Sequence, residues 1–407
     1  MAVTVVEHAT AAGRLPIRTP SPRLMLGLAT LGFALNFWAW ALLSPLGARF
    51  RRDLALSSLQ QALLVAVPVV VGSVGRIPVG VLTDRYGGRL MFPAVSFATI
   101  IPVLFLGLWG HDSYAALLIG GFFLGIGGTA FAVGVPFVNA WFPAERRGFA
   151  IGVFGVGMGG TAISALTTVK LAGGHGLAAP FLIAAVALAV YGVLAALLVR
   201  DAPGRVVATT PAWQRLKDTV RLPITWQTSA LYAVAFGGYV AFSVYLPTYL
   251  KTAYSLSPAD AANKMAGFVL LAVLLRPVGG WLSDRIRSTT VLSGAFAAVA
   301  VLAAVQSTTP ALLPSGTVAF LGMAAALGAA SGATFALLAR LAPAGTVGSV
   351  TGVVGAAGGL GGFIPPLLMG SLYGSTGSYR IGLLLLAGVA GLAVLFAATI
   401  VRRVPGA

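Results

Sequence analysis

Residues Arg76 to Arg85 read RIPVGVLTDR, and 200 positions later Arg276 to Arg285 read RPVGGWLSDR. Arginine, glycine, leucine, aspartate and arginine recur at Arg76/Arg276, Gly80/Gly280, Leu82/Leu282, Asp84/Asp284 and Arg85/Arg285. Each copy follows an apolar run, LLVAVPVVVGSVG (63–75) before the first and GFVLLAVLL (267–275) before the second. Each leading arginine therefore stands inside a stretch that reads as membrane-buried helix, and the Asp-Arg pair eight residues on marks the end of that helix. Eight helical residues rise about 12 Å, near half of a hydrocarbon core of about 30 Å. Both arginines fall close to the bilayer midplane.

Composition agrees with that reading. Of 407 residues, 58% are hydrophobic and 9% charged, whereas ordinary soluble domains are about a quarter charged. The apolar runs are long enough to cross as helices and lack the ten-residue alternation of a membrane barrel. The chain has no cysteine, which removes disulfides, thiolate metal sites and cysteine nucleophiles. A net charge of +17 invites a nucleic-acid reading, but position argues otherwise. With twelve spans and the amino terminus inside, seventeen Lys and Arg fall in cytoplasmic segments and seven outside, leaving Arg76 and Arg276 in the membrane. That asymmetry orients a membrane protein, so no nucleic-acid partner is expected.

The expected fold class is all-α, with spans at 22–48, 58–82, 88–109, 114–141, 147–172, 177–199, 226–250, 261–283, 288–307, 313–340, 346–370 and 379–401. The implied division is a cytoplasmic segment 1–21, a six-helix half 22–199, a polar linker 200–224, a second half 225–401 and a cytoplasmic tail 402–407. The repeat extends beyond the arginine segments. Pro143-Ala144 with Gly148, Gly152, Gly155 and Gly159 reappear as Pro343-Ala344 with Gly348, Gly352, Gly355 and Gly359, and Gly128–Ala132 has an echo at Gly332–Ala336. A repeat after an even number of spans gives two parallel halves related by an axis along the membrane normal, with a midplane site between them.

The segment GVLTDRYGGRL (80–90) resembles the signature loop between helices two and three of the major facilitator superfamily, and Gly280–Arg285 resembles its second-half echo. Gly75-Arg76-Ile-Pro, FAIGVFGVGMGGTA (149–162) and GVVGAAGGLGGFIPP (352–366) are similar to the nitrate/nitrite porter family within it. With the repeats, the resemblance spans nearly the whole chain. It implies a twelve-helix transporter, a monomer in the bacterial inner membrane with both termini cytoplasmic, whose substrate is nitrate or nitrite held by the two arginines. It also implies that aromatic rings from helices four and seven cover the faces of the anion, at Phe131, Tyr232 and Phe236. The family tends to carry an asparagine in the helix-five signature, whereas this chain reads Gly155-Val-Gly-Met158-Gly159-Gly-Thr161.

The residues support an anion site independently. A charge at the bilayer centre costs about 3 kcal/mol on insertion scales, so it takes a partner or a task. The nine acids, Glu7, Asp53, Asp84, Asp112, Glu145, Asp201, Asp218, Asp260 and Asp284, all lie in termini, loops or helix ends. Carbonyls freed by Pro78 or Pro277 offer a blander way to satisfy the guanidinium groups. Two cations without a resident anion otherwise await a small negative ligand, and the planar guanidinium suits a flat oxyanion. Asn36, Thr161, Ser331 and Thr334 are candidate additional donors, with bonds to their own backbone as the alternative. Asp84, Arg85, Asp284 and Arg285 read as a gate or latch. Gly155, Gly159, Gly355 and Gly359 read as close-packing positions between helices.

No catalytic pair, metal cluster or phosphate loop is present in sequence, so neither an enzyme nor a cofactor is expected. His8, His111 and His175 lie in terminus or loops, and no midplane acid is available to carry a proton; exchange of anions is favoured over proton symport. A transporter of formate or a short carboxylate, and a non-transporting membrane sensor, are the rival readings.

Overall fold

A computed structural model describes residues 20–399 and 401–403; the remaining positions, including Glu7, His8, Arg14 and Arg18, lie outside the described residues. Within it the first predicted span is α1 (Pro22–Trp40) with α2 (Leu43–Asp53), and the second is α3 (Ser58–Val74) with α4 (Arg76–Tyr86). Next come α5 (Gly88–Leu108), then α6 (Tyr114–Leu124) and α7 (Ala130–Trp141) joined by a 3₁₀ turn over Gly125–Thr129. A second 3₁₀ turn, Val156–Gly159, joins α8 (Arg147–Gly155) to α9 (Gly160–Gly174), and α10 (Ala179–Leu198) completes the first half. The second half holds α12 (Pro223–Tyr254), α13 (Pro258–Leu274), α14 (Arg276–Arg285), α15 (Ser288–Ser307), α16 (Thr317–Leu341), α17 (Val347–Gly361), α18 (Ile364–Thr376) and α19 (Arg380–Thr399). Between them the linker, read from sequence as a polar connection, folds a helix of its own, α11 (Ala212–Arg221).

Ten helical segments are long and apolar enough to cross a membrane, and the bent pair Pro223–Ser243 and Tyr245–Tyr254, at 57°, makes an eleventh. The remaining predicted span, 346–370, is not one rod: α17 stops at Gly361 and α18 resumes at Ile364. Gly361, Gly362 and then Pro365 and Pro366 explain the break, since glycine lowers helix propensity and proline removes donors. Among the described residues there is no strand.

Both arginines open a half-helix. Pro78 and Pro277 have no N–H to offer the carbonyls of Val74 and Val273, four residues back, and their rings crowd those oxygens. The chain turns at Gly75 and at Leu275, yet Gly75 N still donates to Val71 O at 2.8 Å and Leu275 N to Leu271 O at 3.0 Å. Each span is therefore kinked rather than cut. Val70 and Val74 on α3, with Leu270 and Leu274 on α13, are exposed. Two positions along a helix is a rotation of about 200°, so the exposed stripe points away from the arginine and toward lipid.

Two crossings, again 200 residues apart, hold the halves together. A Cβ on Gly80 would strike the Gly348 carbonyl oxygen, and one on Gly280 would strike that of Gly148. One on Gly152 would lie 2.6 Å from Pro277 Cα, and one on Gly352 would lie 3.0 Å from Ile77 Cα. Thus α4 lies directly on α17, and α14 on α8. Backbones that meet this closely gain dispersion contacts that side chains would hold apart.

At the end bearing the linker, both crossings finish in a carboxylate on a helix N-terminus. Asp84 accepts from Gly348 N at 2.7 Å, from Ser349 N at 2.8 Å and from the Ser349 hydroxyl. Asp284 accepts from Gly148 N and Phe149 N, each at 2.8 Å. These N–H groups have no partner within their own helices, and the helix dipole favours an anion there. The aspartates do join the halves. Arg85 and Arg285, expected to belong to the same latch, instead sit over their own helices' rings, Tyr86 at 5.5 Å and Trp281 at 4.2 Å. Their guanidinium groups find an aromatic face one or four residues away, and the carboxylates are already saturated by backbone donors.

Replacing Gly280 by valine should separate α14 from α8. Overpacking costs about 1–3 kcal/mol, so a fall in the thermal unfolding midpoint of the detergent-purified protein is expected, with Gly159→Val, in open space, unchanged.

Candidate anion-binding site

Arg76 is 1% exposed and Arg276 3%, so both charges are sealed inside the protein. Arg76 Nε donates to the Gly128 carbonyl at 3.1 Å and Nη1 to the Gly355 carbonyl at 2.8 Å. Gly128 lies in the 3₁₀ turn Gly125–Thr129, where the change of pitch leaves carbonyls imperfectly used by the helix ladder. The carbonyls that Arg76 finds therefore belong to other helices, not to the turn that Pro78 loosens. Arg276 is less satisfied. Its Nη1 lies against the Met158 sulfur, its Nη2 donates to the Tyr232 hydroxyl at 3.4 Å, and its Nε has no hydrogen-bond partner. Among the described residues neither guanidinium makes an ion pair.

The two cations are brought to one ring. The Phe131 centroid lies 5.5 Å from Arg76 Cζ and 5.9 Å from Arg276 Cζ. Phe131 faces Tyr232 across the halves, with centroids 6.3 Å apart and planes 2° from parallel. Phe236 stacks on Tyr232 at 5.0 Å and lies 5.9 Å from Arg76 Cζ. The three aromatic residues named from the family resemblance thus surround the arginines. Phe335 was not among them. It stands edge-on to both Phe131, at 4.9 Å and 79°, and Tyr232, at 4.7 Å and 81°, and closes one side of the parallel pair. Its signal in sequence was the Gly332–Ala336 echo of the Phe131 segment.

The glycines have a sharper task than helix packing. A Cβ on Gly155 would lie 2.7 Å from Arg276 Nε, and one on Gly355 would lie 2.9 Å from Arg76 Cδ. Each arginine lies on the bare backbone of a helix from the opposite half. Gly359 packs on Ser73, as a close-packing position should, but a Cβ at Gly159 would meet nothing within 4 Å. Its neighbour Gly160 makes the close approach instead, against α1 at Ala34 and Trp38. The offset of 200 does not survive here: the 3₁₀ turn Val156–Gly159 interrupts the first copy, whereas α17 runs unbroken through Gly359.

Three of the four proposed extra donors are engaged elsewhere. Asn36 Nδ2 donates to Gly32 O and to Ser96 Oγ, both at 2.9 Å, and its Oδ1 accepts from Thr99 at 3.3 Å; it ties α1 to α5 inside the first half. Thr161 donates to Met158 O at 2.9 Å, and Thr334 to Ala330 O at 2.8 Å, the backbone alternative that hydroxyls in membrane helices take readily. Ser331 is buried on α16 and bonds neither guanidinium among the described residues.

Two buried cations thus meet parallel rings, and among the described residues no acid pairs with either. Guanidinium donors in low dielectric bind oxyanion oxygens strongly.

The sequence profile described as the Major Facilitator Superfamily matches residues 29–364 and 228–407. A Mycobacterium tuberculosis protein named probable nitrate/nitrite transporter NarK2 is 49% identical over 380 residues, covering 93% of this chain and 96% of its own. The Bacillus subtilis nitrite extrusion protein is 35% identical over 369 residues, covering 90% and 91%. Among solved structures, the Escherichia coli fucose:proton symporter FucP superposes with a TM-score of 0.75 at 18% identity, covering 93% of this chain and 99% of its own; that likeness speaks to the fold alone.

An alanine at Gly155 or Gly355 would push the facing guanidinium aside without removing its charge. A loss of at least roughly tenfold in anion affinity is expected for either, as for one charge-assisted hydrogen bond of about 1.5–3 kcal/mol, measured by calorimetry, with Gly159→Ala near wild type.

Proposed function

This integral membrane protein belongs to the Major Facilitator Superfamily, in its nitrate/nitrite porter family, and we propose that it moves nitrate and/or nitrite across the bacterial cytoplasmic membrane by rocker-switch alternating access. The observation that carries the proposal is the pair Arg76 and Arg276, buried without an acidic partner and sharing the Phe131 ring. In this reading each guanidinium binds oxygens of one anion bridging the halves. Phe131 and Tyr232 cover its faces, Phe236 backs Tyr232, and Phe335 closes the edge. The names borne by the relatives point to the same substrate class. Both termini face the cytoplasm, the end bearing Asp84, Asp284 and the linker is the cytoplasmic end, and the monomer is the working unit.

With both aspartates on their helix N-termini and the site buried, the conformation described is closed at the linker end. Inward opening requires Asp84 to leave α17 and Asp284 to leave α8, so that the α4–α17 and α14–α8 crossings part. An empty site would carry two like charges through that transition in low dielectric, and a bound monoanion offsets part of this cost. We therefore favour exchange, in which the site returns loaded. The lack of an acid paired with either arginine among the described residues supports exchange over a proton carried by a side chain.

Lysine at position 76 or 276 keeps the charge and loses the planar fork; at least a hundredfold fall in nitrate uptake is expected for each in proteoliposomes. Phe335→Ala should weaken nitrate binding about fivefold, since an edge-to-face contact is worth about 1 kcal/mol beyond area. Uptake of nitrate into nitrite-loaded vesicles should exceed that into empty ones. Equal uptake would reject exchange, and uptake driven by a pH gradient alone would establish symport.

A further inference from the structure

The linker helix α11 has two unlike faces. Its inner face carries Arg215, 3% exposed, and Thr219, 1% exposed. Arg215 Nη1 donates to Val81 O at 2.7 Å on α4, and Nη2 donates to Thr210 O at 2.7 Å. The preceding stretch of linker adds Arg205, whose Nη1 donates to the Asp84 carbonyl at 3.1 Å. So the linker grips the last turn of α4, the turn whose Asp84 side chain holds α17.

The outer face looks away from the protein. Trp213 is 75% exposed and Val220, seven residues on and so on the same face, is also exposed. Beside them on the helix surface stand Lys217 and Arg221, four apart and both exposed. The one acid of the helix, Asp218, lies on the other flank. An apolar strip next to a cationic strip on one exposed side is the pattern of a helix lying in the headgroup layer.

Position makes that layer unavoidable. The helix ends at Arg221, and the membrane-crossing α12 begins at Pro223. Its last turn is tied to the first turn of α12, with Thr225 donating to Thr219 O at 2.8 Å and Trp226 Nε1 to Val220 O at 2.7 Å. Trp226 is itself 58% exposed, and exposed tryptophan is enriched where hydrocarbon gives way to headgroups. A segment fastened at that depth, with two free cations, faces a leaflet whose anionic lipids attract Lys and Arg.

We propose that α11 is a membrane-surface helix whose partner is the anionic phospholipid headgroup, and that its adsorption holds the linker end closed through Arg215. Lipid binds the outer face while the inner face engages the closed arrangement of α4, so each favours the other by linkage. Loss of the headgroup contact frees α11 to leave with α12, and the grip on Val81 and Asp84 goes with it.

The test needs no substrate, so it stands or fails apart from the nitrate assignment. The full chain, which has no native cysteine, is spin-labelled at Glu145→Cys and Ala344→Cys, one on each half at the linker end. The distance distribution is measured in discs of neutral phosphatidylcholine and in discs containing about a third phosphatidylglycerol. The anionic lipid should raise the short-to-long distance ratio at least roughly five-fold, the scale of a single surface cation's attraction. Lys217→Gln with Arg221→Gln should match the parent in neutral discs and lose the response, and Arg215→Gln should lose it as well. A ratio indifferent to phosphatidylglycerol, or a double variant that responds like the parent, overturns the proposal. Quenching by brominated phosphatidylglycerol provides an independent readout: Trp213→Phe should remove a quenchable component, and an unchanged quenching curve places α11 off the lipid and overturns the surface assignment.

Discussion

Two permanently positive groups are held within 6 Å of one phenyl ring, in a medium that cannot solvate them. That electrostatic constraint organises the rest. A buried guanidinium tolerates its surroundings only where carbonyls, ring faces or a ligand supply negative potential. The chain meets part of that need with the carbonyls of Gly128 and Gly355 and the faces of Phe37, Phe131 and Phe236. It leaves Arg276 worse supplied, with a thioether, a long contact to Tyr232 and an unbonded Nε. Arg76 is thereby held in place by two carbonyls, while Arg276 keeps more of its donors unmet.

The same helices serve the site and the closure. Gly148 and Gly155 lie seven residues apart on α8, as Gly348 and Gly355 do on α17, which is two turns along one face and about 10 Å. The near glycine of each pair donates its N–H to an aspartate of the other half, and the far glycine clears space for an arginine of the other half. Movement at one crossing is therefore felt at the site and at the latch together. Packed interfaces switch between discrete arrangements rather than stretch, and these two crossings couple the arginines to the aspartate contacts through the same helices.

Much of the site was legible before any coordinates. The arginines stood out because charge in an apolar run is costly, and the 200-residue offset paired them with each other, while the glycines they lie on read only as packing positions. The aromatic trio came through family resemblance, and its members do gather at the arginines. Legibility failed where an outcome depended on what faces a side chain. Asn36 read as a candidate donor with its own backbone as the alternative, and it bonds the Gly32 carbonyl together with Ser96 and Thr99 of another helix. Thr161 and Thr334 turned back to their own carbonyls. Arg85 and Arg285 were linked to neighbouring aspartates by sequence proximity, whereas adjacent residues on a helix point about 100° apart. The linker read as a loop because its short amphipathic pattern is hidden among polar residues.

Sequence alone determined that the chain crosses a membrane many times, that it is built from two parallel repeats, and that two arginines stand in apolar spans that carry no acid near their middle. Those conclusions rest on composition, period and the identity of every acid, which no folding step can alter. Tertiary structure decided which carbonyls and rings each arginine meets, that Phe335 closes the aromatic pair, that the aspartates cap helices of the opposite half, and that α11 grips α4. These depend on contacts between residues about 40 to nearly 300 positions apart, and only the packing of helices against one another sets which of many such pairs meet.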